Sequence, residues 1–455
     1  MKRALVISYH FLPDQSVGAK RPTELVNSML DQGWHVTVLS RAHKTPLTHD
    51  EYQGPGTLEI VRAPHLPGIL NPSYNAFKRL IQAVRRAKKE DDRPDNEPIE
   101  KDSISETSRG SVSFRFWLKR LVISWQAMLN ATKGWLVSSL VLLVVQKIKG
   151  KQFDVVISSS PPASVHFLAR FALFLFGGRW ILDVRDPINM WELVVPVCRA
   201  PYRVCFENWL ERSYLRRADQ IVVTTDPLKE EMLRTAERCG YKYGVTTVYN
   251  GFDGELIRER APSTKTAELA FAGELYANRN PFPLLNAIND LLKSGEIETG
   301  GIRFHLYGNC ETWNGYSLRE WAQKNGLEDT IILHGMLPPD SLETELRQAH
   351  LLVSYAQQQP LQIPAKTFDY LRYPCSSFVI TEKDSATGQF VIKNDVGYAS
   401  DDDPTCVRQT LLLALRDLNR HDERGLSQED RAKRQSFSRS AQNRDYLDLI
   451  RNFRG

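Results

Sequence analysis

Several motifs that would fix a function are missing from this sequence. The six cysteines show no C-x-x-C spacing, which argues against a zinc knuckle and a disulfide framework and predicts a reducing compartment. No G-x-G-x-x-G follows a predicted strand, which counts against a bound dinucleotide. No G-x-x-x-x-G-K-[ST] occurs either, which excludes a P-loop kinase. Any nucleotide ligand must therefore be held by a different kind of loop.

Long hydrophobic runs are missing as well. The apolar run Trp135–Val145 has eleven residues, whereas a helix needs about 20 to span a bilayer. The N-terminus passes directly into a predicted strand at Ala4–Ser8, which leaves no room for a signal peptide. We therefore expect a cytoplasmic protein. Its 455 residues predict two to three domains, because a single core stops growing well below this length.

Acidic residues are missing from one long stretch. Residues 110–153 contain seven basic residues and no acidic one, and Ala76–Glu90 contains six basic residues and one acid. The net charge of +5 is therefore the sum of +12 in these stretches and −7 elsewhere. The same region carries aromatic residues that include Phe114, Phe116, Trp117, Trp125 and Trp135.

Cations beside aromatics and a short apolar run are typical of a helix that lies in a membrane interface. We therefore predict peripheral binding to the inner face of the cell membrane through Phe114–Lys151. The alternative is a pair of core helices with solvated basic edges. Nucleic acid is disfavoured as a partner, because the aromatics lie in apolar surroundings rather than in a polar groove.

The rest of the chain alternates predicted strands and helices in two series, which indicates two doubly wound parallel sheets. The segment Asp91–Ser113 is polar and contains proline, so we predict a disordered insertion there. Pro22 and Gly33 predict a helix over Thr23–Gln32. The charged segment Gln428–Phe453 is predicted to be helical.

Ligands of such sheets bind at the carboxyl ends of the strands. In the second series a glycine directly follows each of three predicted strands, at Gly273, Gly308 and Gly335. Glycine allows backbone N–H groups to approach a ligand closely, although turns also favour it. These glycines indicate where a ligand of the second sheet would bind.

The stretch Gln357–Tyr373 offers the chemistry for a nucleotide sugar. It comes after a predicted buried strand, and Pro364 precedes a predicted helix that carries Lys366 in its first turn. A cation there opposes the helix dipole, which suits a bound phosphate. Asp369 lies three residues on, on the same face, and could bind sugar hydroxyls. The alternative is an ordinary surface helix with a Lys–Asp pair.

Six motifs in order, YHFLP…GAKRP, FDVVISSSPP, ILDVRDP, VYNGFD, FAGELY…RNP and IPAKTFDYL, resemble bacterial glycosyltransferases of family 4. The resemblance covers nearly the whole chain except residues 71–150. It implies the α/β GT-B fold, in which two Rossmann-like domains face a central cleft. The implied domains are residues 1–253 for the acceptor, with a basic insertion over about 71–150, and 254–427 for the nucleotide sugar. Residues 428–455 would form a helix that crosses back to the first domain.

The resemblance also assigns roles to residues. Lys366 and Arg279 would bind the diphosphate of the donor, and Asp369 the ribose hydroxyls. Gly18 matches the glycine loop that closes over the diphosphate. The remaining implied donor-binding residues are Gly273, Gly308, Gly335 and Pro364. Lys366 is also a candidate catalytic residue. Asp186 is a second candidate, and the alternative interpretation is that Asp186 belongs to a structural turn before Pro187. Leu361 departs from the family pattern, because a glutamate usually precedes the second acid by eight positions.

The function implied is a retaining transfer of sugar from a nucleotide-diphosphate sugar to a glycan or lipid-linked acceptor in cell-surface polysaccharide synthesis. We expect no cofactor and no metal, because no D-x-D motif or histidine cluster falls among the candidate loops and the two cations can take the place of a metal. The alternatives are an epimerase or a catalytically silent partner subunit, the latter suggested by Leu361.

Overall fold

The computed structural model describes residues 2–43, 54–66, 132–187, 201–241, 244–258, 265–276, 278–418 and 426–452. The predicted insertion Asp91–Ser113 and the aromatic residues from Phe114 to Trp125 lie outside them. The chain forms two compact units, Met1–Ile221 with Ala236–Gly244, and Val222–Thr235 with Val245–Gly455. The domain limits expected from the sequence, with a boundary after residue 253, stay a prediction.

The first sheet has seven strands within the described ranges: β1 Arg3–Ser8, β2 His35–Arg41, β3 Thr57–Ala63, β4 Val155–Ser160, β5 Arg179–Val184, β6 Gln220–Val223 and β7 Val245–Thr247. Their order is β3-β2-β1-β4-β5-β6-β7, and β1 pairs in parallel with both β2 and β4. Every residue of β4 is buried, which is typical of a parallel strand covered on both faces.

Five helices accompany this sheet in the part of the chain that the structure describes. They are α1 Val17–Asp31, α2 Lys133–Ile148, α3 Ser164–Phe176, α4 Pro201–Arg217 and α5 Asp226–Arg238. Trp135 of α2 is fully buried, and its ring packs edge-on against Tyr9, 5.1 Å between centroids. This residue is therefore part of the core, and the prediction that it anchors the chain in a membrane interface is wrong.

The second sheet contains six of the strands that the structure describes, β8 Ala267–Ala272, β9 Ile302–Tyr307, β12 Ile331–Gly335, β13 Leu351–Tyr355, β14 Ser376–Ile380 and β15 Gly397–Ser400. A small hairpin, β10 Thr312–Trp313 and β11 Tyr316–Ser317, lies between β9 and β12 in the chain. The order in the sheet is β12-β9-β8-β13-β14-β15, and the pairs are parallel.

The helices that come after β7 in the chain are α6 Phe282–Lys293, α7 Leu318–Asn325, α8 Pro339–Leu346, α9 Ala365–Asp369, α10 Ala386–Lys393, α11 Pro404–Leu418, α12 Gln428–Ser436 and α13 Arg439–Arg451. The core between them and the sheet is built from Leu, Ile, Val and Phe side chains such as Phe271, Leu284, Phe304 and Val353.

The two sheets share one strand order, so the prediction of two doubly wound parallel sheets is confirmed. In the first sheet β1 lies between β2 and β4, and in the second sheet β8 lies between β9 and β13. The connections therefore leave in opposite directions between β1 and β4, and again between β8 and β13. Such a switch point opens a crevice at the carboxyl ends of its two strands, where ligands bind.

Helix α1 begins at Val17, so the prediction that Pro22 opens it is wrong. Pro22 lies inside the helix, where its missing N–H normally leaves the carbonyl four residues earlier without a partner. That carbonyl belongs to Gly18, and Arg185 Nη1 donates a hydrogen bond to it over 2.7 Å. An arginine from another strand end thus replaces the lost helical bond, which the sequence alone could not reveal.

Two other helices differ from expectation in length. The helix that carries Lys366 has only five residues and continues as a 3-10 turn, Tyr370–Arg372. The segment from Gln428 is two helices rather than one, because Ser438 caps a new helix by accepting a hydrogen bond from the Ala441 N–H. Predicted and observed bounds otherwise agree within a few residues for most elements.

Candidate functional site

Three glycines lie together at the carboxyl ends of β12, β9 and β8. The Gly308 N–H donates to the Gly335 carbonyl over 2.6 Å, and the Gly273 N–H donates to the Tyr307 carbonyl over 2.8 Å. The sequence prediction that these glycines share one edge is therefore confirmed by the strand order. They form a backbone surface next to the switch point between β8 and β13.

Two of these glycines have no room for a side chain. At Gly273, whose φ is 155°, a Cβ would overlap the ammonium group of Lys366. At Gly308, whose φ is 106°, a Cβ would overlap the Gly273 carbonyl oxygen. Both backbone conformations also disfavour L-residues. The close approach of backbone and lysine therefore depends on glycine at both positions.

Lys366 spans the switch point. It lies on α9, in the connection after β13, and its Nζ donates a hydrogen bond of 2.5 Å to the carbonyl of Ala272, the last residue of β8. The same Nζ lies 4.4 Å from the ring centroid of Phe271. Tyr370 fixes the helix to the same strand end, since its hydroxyl accepts from the Ala272 N–H over 3.0 Å. The ammonium group is thereby held beside the glycine edge.

The charge of Lys366 is only partly balanced. Burial, together with the nearby charge of Arg279, lowers its pKa to about 8, while Cys310 and Asp369 act in the opposite direction. A lysine that is costly to ionise in the empty site regains stability when an anion arrives. The site therefore favours an anionic ligand.

Arg279 supplies a second cation near the first. Its guanidinium lies 4.4 Å from the ring centroid of Tyr276, and Nη1 donates to the Glu274 carbonyl over 3.2 Å. Its Nε is buried and makes no hydrogen bond to any described residue. Neither Arg279 nor Lys366 forms an ion pair with a carboxylate in the described ranges. A buried donor without an acceptor is costly, and a phosphate oxygen would satisfy it.

The other predicted donor residues lie on the same connection. Pro364 precedes α9 in an extended conformation, with φ −56° and ψ 139°. Asp369 ends α9 and is near enough to Lys366 to influence its pKa. Leu361 is half-buried, and its carbonyl accepts a hydrogen bond from the Thr225 hydroxyl over 2.8 Å. These placements are compatible with the predicted roles and do not test them.

The first sheet has a different set of charges at its switch point. Asp183 of β5 is fully buried and accepts from Arg21 Nη2 over 3.0 Å and Nε over 3.3 Å. The Ser159 hydroxyl donates to the same carboxylate over 2.6 Å. Sequence reasoning missed Asp183. The signal was an acid in the middle of the apolar strand ILDV, where an unpaired carboxylate would be very costly.

Asp186, the predicted catalytic residue, lies two residues after β5 and is half-buried. Its neighbour Arg185 is buried and donates from Nε to the Ser160 carbonyl over 2.6 Å, in addition to its bond to Gly18. Arg185 is therefore a structural residue that ties three segments of the first sheet together. The role of Asp186 stays a prediction.

His10 and Asp14 form a second charged group after β1. His10 Nδ1 and Arg41 Nη2 each lie 2.7 Å from Asp14 Oδ2. Burial raises the pKa of Asp14, but hydrogen bonds from His10 and Ser16 and the charge of Arg41 outweigh it and hold that pKa well below its usual range. Burial lowers the pKa of His10. The carboxylate is thus ionised and paired.

Comparison with known proteins agrees with this architecture. Residues 100–251 match the family model described as a glycosyl transferase 4-like domain. Among solved structures, a sucrose-phosphate synthase from Thermosynechococcus elongatus has a TM-score of 0.58 at 15% identity, and 99% of this chain and 98% of that chain are covered. The chain has the GT-B fold, and a third of it is similar to a glycosyl transferase 4-like domain. No curated protein sequence matches this chain.

Two further structures share this fold. The apo form of the lipopolysaccharide outer core galactosyltransferase WaaB has a TM-score of 0.56 at 11% identity, with 99% of both chains covered. The Anabaena protein Alr3699/HepE, in complex with UDP-glucose, has a TM-score of 0.51 at 9% identity over the full length of both chains. The prediction of the GT-B fold is confirmed, and the family match over residues 100–251 agrees with the prediction of a transferase.

Proposed function

We propose that this glycosyltransferase moves a sugar, with retention of configuration, from a nucleotide-diphosphate sugar to a glycan or lipid-linked acceptor in cell-surface polysaccharide synthesis. The observation that carries the proposal is the pair of cations, Lys366 and Arg279, held without carboxylate partners in the described ranges beside the glycine edge of the second sheet. A diphosphate fits that edge, because its oxygens accept hydrogen bonds from ammonium, guanidinium and exposed backbone N–H groups.

The same pair supplies the chemistry of transfer. When the bond between sugar and diphosphate breaks, negative charge grows on the leaving diphosphate, and cations already fixed in place stabilise it without reorganising. Asp369 would bind the ribose hydroxyls of the nucleotide. We propose Asp186 as a polar group that assists the acceptor, and front-face attack without a covalent enzyme intermediate. The structures of WaaB and of the UDP-glucose complex support a sugar-nucleotide donor.

The proposal includes a reaction without metal, in which side-chain cations neutralise the diphosphate. In the described ranges no group of His, Cys, Asp and Glu has the geometry of a metal site. Because Lys366 and Arg279 would neutralise the diphosphate, donor binding and turnover should persist in excess EDTA. Complete loss of turnover with EDTA, restored by Mg²⁺ or Mn²⁺, would overturn this part of the proposal.

The proposed lipid-linked acceptor would lie in a membrane. We propose peripheral binding on the inner face of the cell membrane, where a lipid-linked acceptor would be found. No helix in the described part of the chain is long and apolar enough to cross a bilayer. The basic content of residues 110–153 supports attraction to anionic lipid.

A panel of nucleotide-diphosphate sugars tests the proposal directly. Thermal unfolding is measured with each compound, and the correct donor should raise Tm, because a ligand at 100 times its Kd stabilises the folded state by about 2.7 kcal/mol. The matched control is Lys366→Ala, which should lose the shift. If no nucleotide sugar or nucleoside diphosphate raises the Tm of the parent protein, the donor assignment is wrong.

A catalytically silent partner subunit is the second candidate, and Leu361 favours it. The apolar Leu361 stands where the family pattern has a carboxylate, and it cannot hydrogen-bond a sugar. Gln359 and Gln362 lie on the same half-buried loop and could take that contact. Slow hydrolysis of the bound donor without acceptor would identify an active enzyme, whereas binding without any hydrolysis or transfer would identify a silent subunit.

A further inference from the structure

Helix α2 carries an apolar stripe that its own fold does not cover within the described residues. Its inward side is buried through residues such as Trp135, Ser139 and Leu143. On its other side four residues are exposed: Val137 (37% of its surface accessible), Val141 (59%), Val144 (40%) and Ile148 (81%). Their spacing of four, three and four residues places them along one face over three helical turns. Four exposed branched aliphatic side chains in one line are unusual for a solvent-facing helix.

Helix α3 extends the same apolar surface. The two helices pack against each other, and their C-terminal turns are neighbours, because Lys147 Nζ lies 5.7 Å from the ring centroid of Phe176. Phe174 is 80% exposed and stacks on Phe171, with ring centroids 6.5 Å apart. We call the surface formed by Val137, Val141, Val144, Ile148 and Phe174 the α2–α3 face.

The charges around this face have one sign. Lys147 and Lys149, at the end of α2, and Arg170 of α3 are all exposed. Neither helix contains an aspartate or a glutamate. In the segment between them, the carboxylate of Asp154 is engaged by the Arg3 backbone N–H over 2.7 Å. Lys151 is excluded from this set, because it pairs with Glu59 over 2.6 Å.

We propose that the α2–α3 face docks on an anionic lipid bilayer, with Ile148 and Phe174 inserted among the upper acyl chains and Lys147, Lys149 and Arg170 at the lipid phosphates. Apolar side chains ringed by cations are what an interfacial site of this kind requires. The inference rests on the membrane location in the proposed function and names the surface that provides it. It also differs from the sequence-based expectation, since Trp135 is not part of the contact.

A second copy of the chain is a poorer occupant. Two α2–α3 faces in contact would bring the lysines and arginine of both copies together with no carboxylate from α2 or α3 to balance them, and like charges at an interface oppose association. An anionic bilayer supplies the missing negative charge along with an apolar layer. Charge complementarity therefore selects the lipid surface.

The test is co-sedimentation of the full chain with phosphatidylcholine vesicles, with and without phosphatidylglycerol. The first variant is Ile148→Glu with Phe174→Glu, and the second is Lys147→Glu with Lys149→Glu. The matched control is Leu413→Glu on α11, since Leu413 is 52% exposed. We expect the parent and the control to bind vesicles that contain phosphatidylglycerol. The first variant should bind at least about tenfold more weakly, and each lost lysine should weaken binding roughly fivefold.

Four results would overturn the proposal. Equal binding of the parent to both kinds of vesicle would show that electrostatic attraction does not contribute to binding. Unchanged binding of the first variant would place the membrane contact elsewhere, for example in residues 114–131. A Tm lowered in the first variant but not in the control would show that the chain itself covers the face. Sedimentation without vesicles that the first variant abolishes would show self-association. None of these results depends on a nucleotide sugar, so failure here is distinct from failure of the donor assignment.

Discussion

The switch points of the two sheets have the same strand order but opposite electrostatic arrangements. At the carboxyl ends of β1, β4 and β5 two arginines are matched by carboxylates, Arg21 by Asp183 and Arg41 by Asp14, while Arg185 donates to backbone carbonyls. At the carboxyl ends of β8 and β13, Lys366 and Arg279 make hydrogen bonds to backbone carbonyls and no ion pair within the described ranges. The first arrangement is complete by itself, and the second lacks an anion.

This difference indicates that the same strand order can hold charges that stabilise the fold in one sheet and charges that are available to a ligand in the other. A buried ion pair whose partners are both supplied by the fold becomes part of the folded state, and removal of one partner leaves an uncompensated charge. Cations without such partners lower the stability of the empty site and recover that free energy from a ligand. Substitutions in the two places should therefore affect different quantities.

The largest effect is expected in the first sheet. Asp183→Ala should lower the free energy of unfolding by about 3–5 kcal/mol, because it leaves the buried Arg21 guanidinium without its carboxylate. Denaturant unfolding followed by circular dichroism measures this loss. The control is Asp186→Ala, a half-buried residue whose replacement should cost much less. A small loss for Asp183→Ala would break the comparison, because the ion pair would then contribute little to the fold.

Lys366→Ala should lower activity and leave stability unchanged, the reverse of Asp183→Ala. We expect about a 100-fold loss of turnover, greater than the loss in donor binding because the charge on the leaving group grows toward the transition state. The Tm of the empty protein should not fall, since removal of a partly buried cation without a carboxylate partner in the described ranges relieves a desolvation cost. Steady-state kinetics and thermal unfolding give both readouts, with the exposed Lys324→Ala as control. Unchanged turnover and donor binding in a folded Lys366→Ala protein would move the donor site elsewhere.

The pH dependence of donor binding sharpens the comparison. Burial lowers the pKa of Lys366 to about 8, so the ammonium form is present below this pH and is lost as the pH rises above it. Because a diphosphate requires the charged form, its Kd should be constant below about pH 8 and should rise by up to about tenfold per pH unit above it. Titration calorimetry from roughly pH 7 to roughly pH 9.5, which brackets this pKa, measures the effect.

Lys366→Arg is the matched variant for this titration, because arginine stays charged throughout. Its donor Kd should be nearly independent of pH, even if the absolute affinity is weaker. A parent protein with a flat profile would contradict the assignment of Lys366 as the diphosphate cation.

The smallest effect is expected at Asp369. Asp369→Asn should raise the KM for the donor between about two- and tenfold, as expected for a weakened hydrogen bond to a charged group. Turnover should change less, since ribose hydroxyls gain no charge during the reaction. Kinetics at varied donor concentration separate the two parameters. A loss in turnover as large as that of Lys366→Ala would mean that Asp369 acts on the reacting atoms instead.

The alternation of apolar strands and helices was sufficient to predict both sheets, because a strand buried on both faces contains a continuous apolar run, as in Val155–Ile157 of β4 and Leu351–Val353 of β13. The glycine edge could be predicted from the strand ends, since Gly273 and Gly308 come directly after a strand and Gly335 is the last residue of one. The start of helix α1 at Val17 could not be predicted, because a proline such as Pro22 is normally found in the first turn of a helix. Its place inside α1 depends on Arg185, which is 163 residues away in the sequence.

The sequence by itself determined the order of the elements and which residues follow each strand, Gly273, Gly308 and Lys366 among them. These properties are local, because they depend on periodicity and on the residues directly after each strand. Only the tertiary structure decided which charges are neutralised. Asp183 meets Arg21 and Lys366 meets the Ala272 carbonyl through contacts between distant segments, and a charge has a partner only when the packed chain brings one within hydrogen-bond distance.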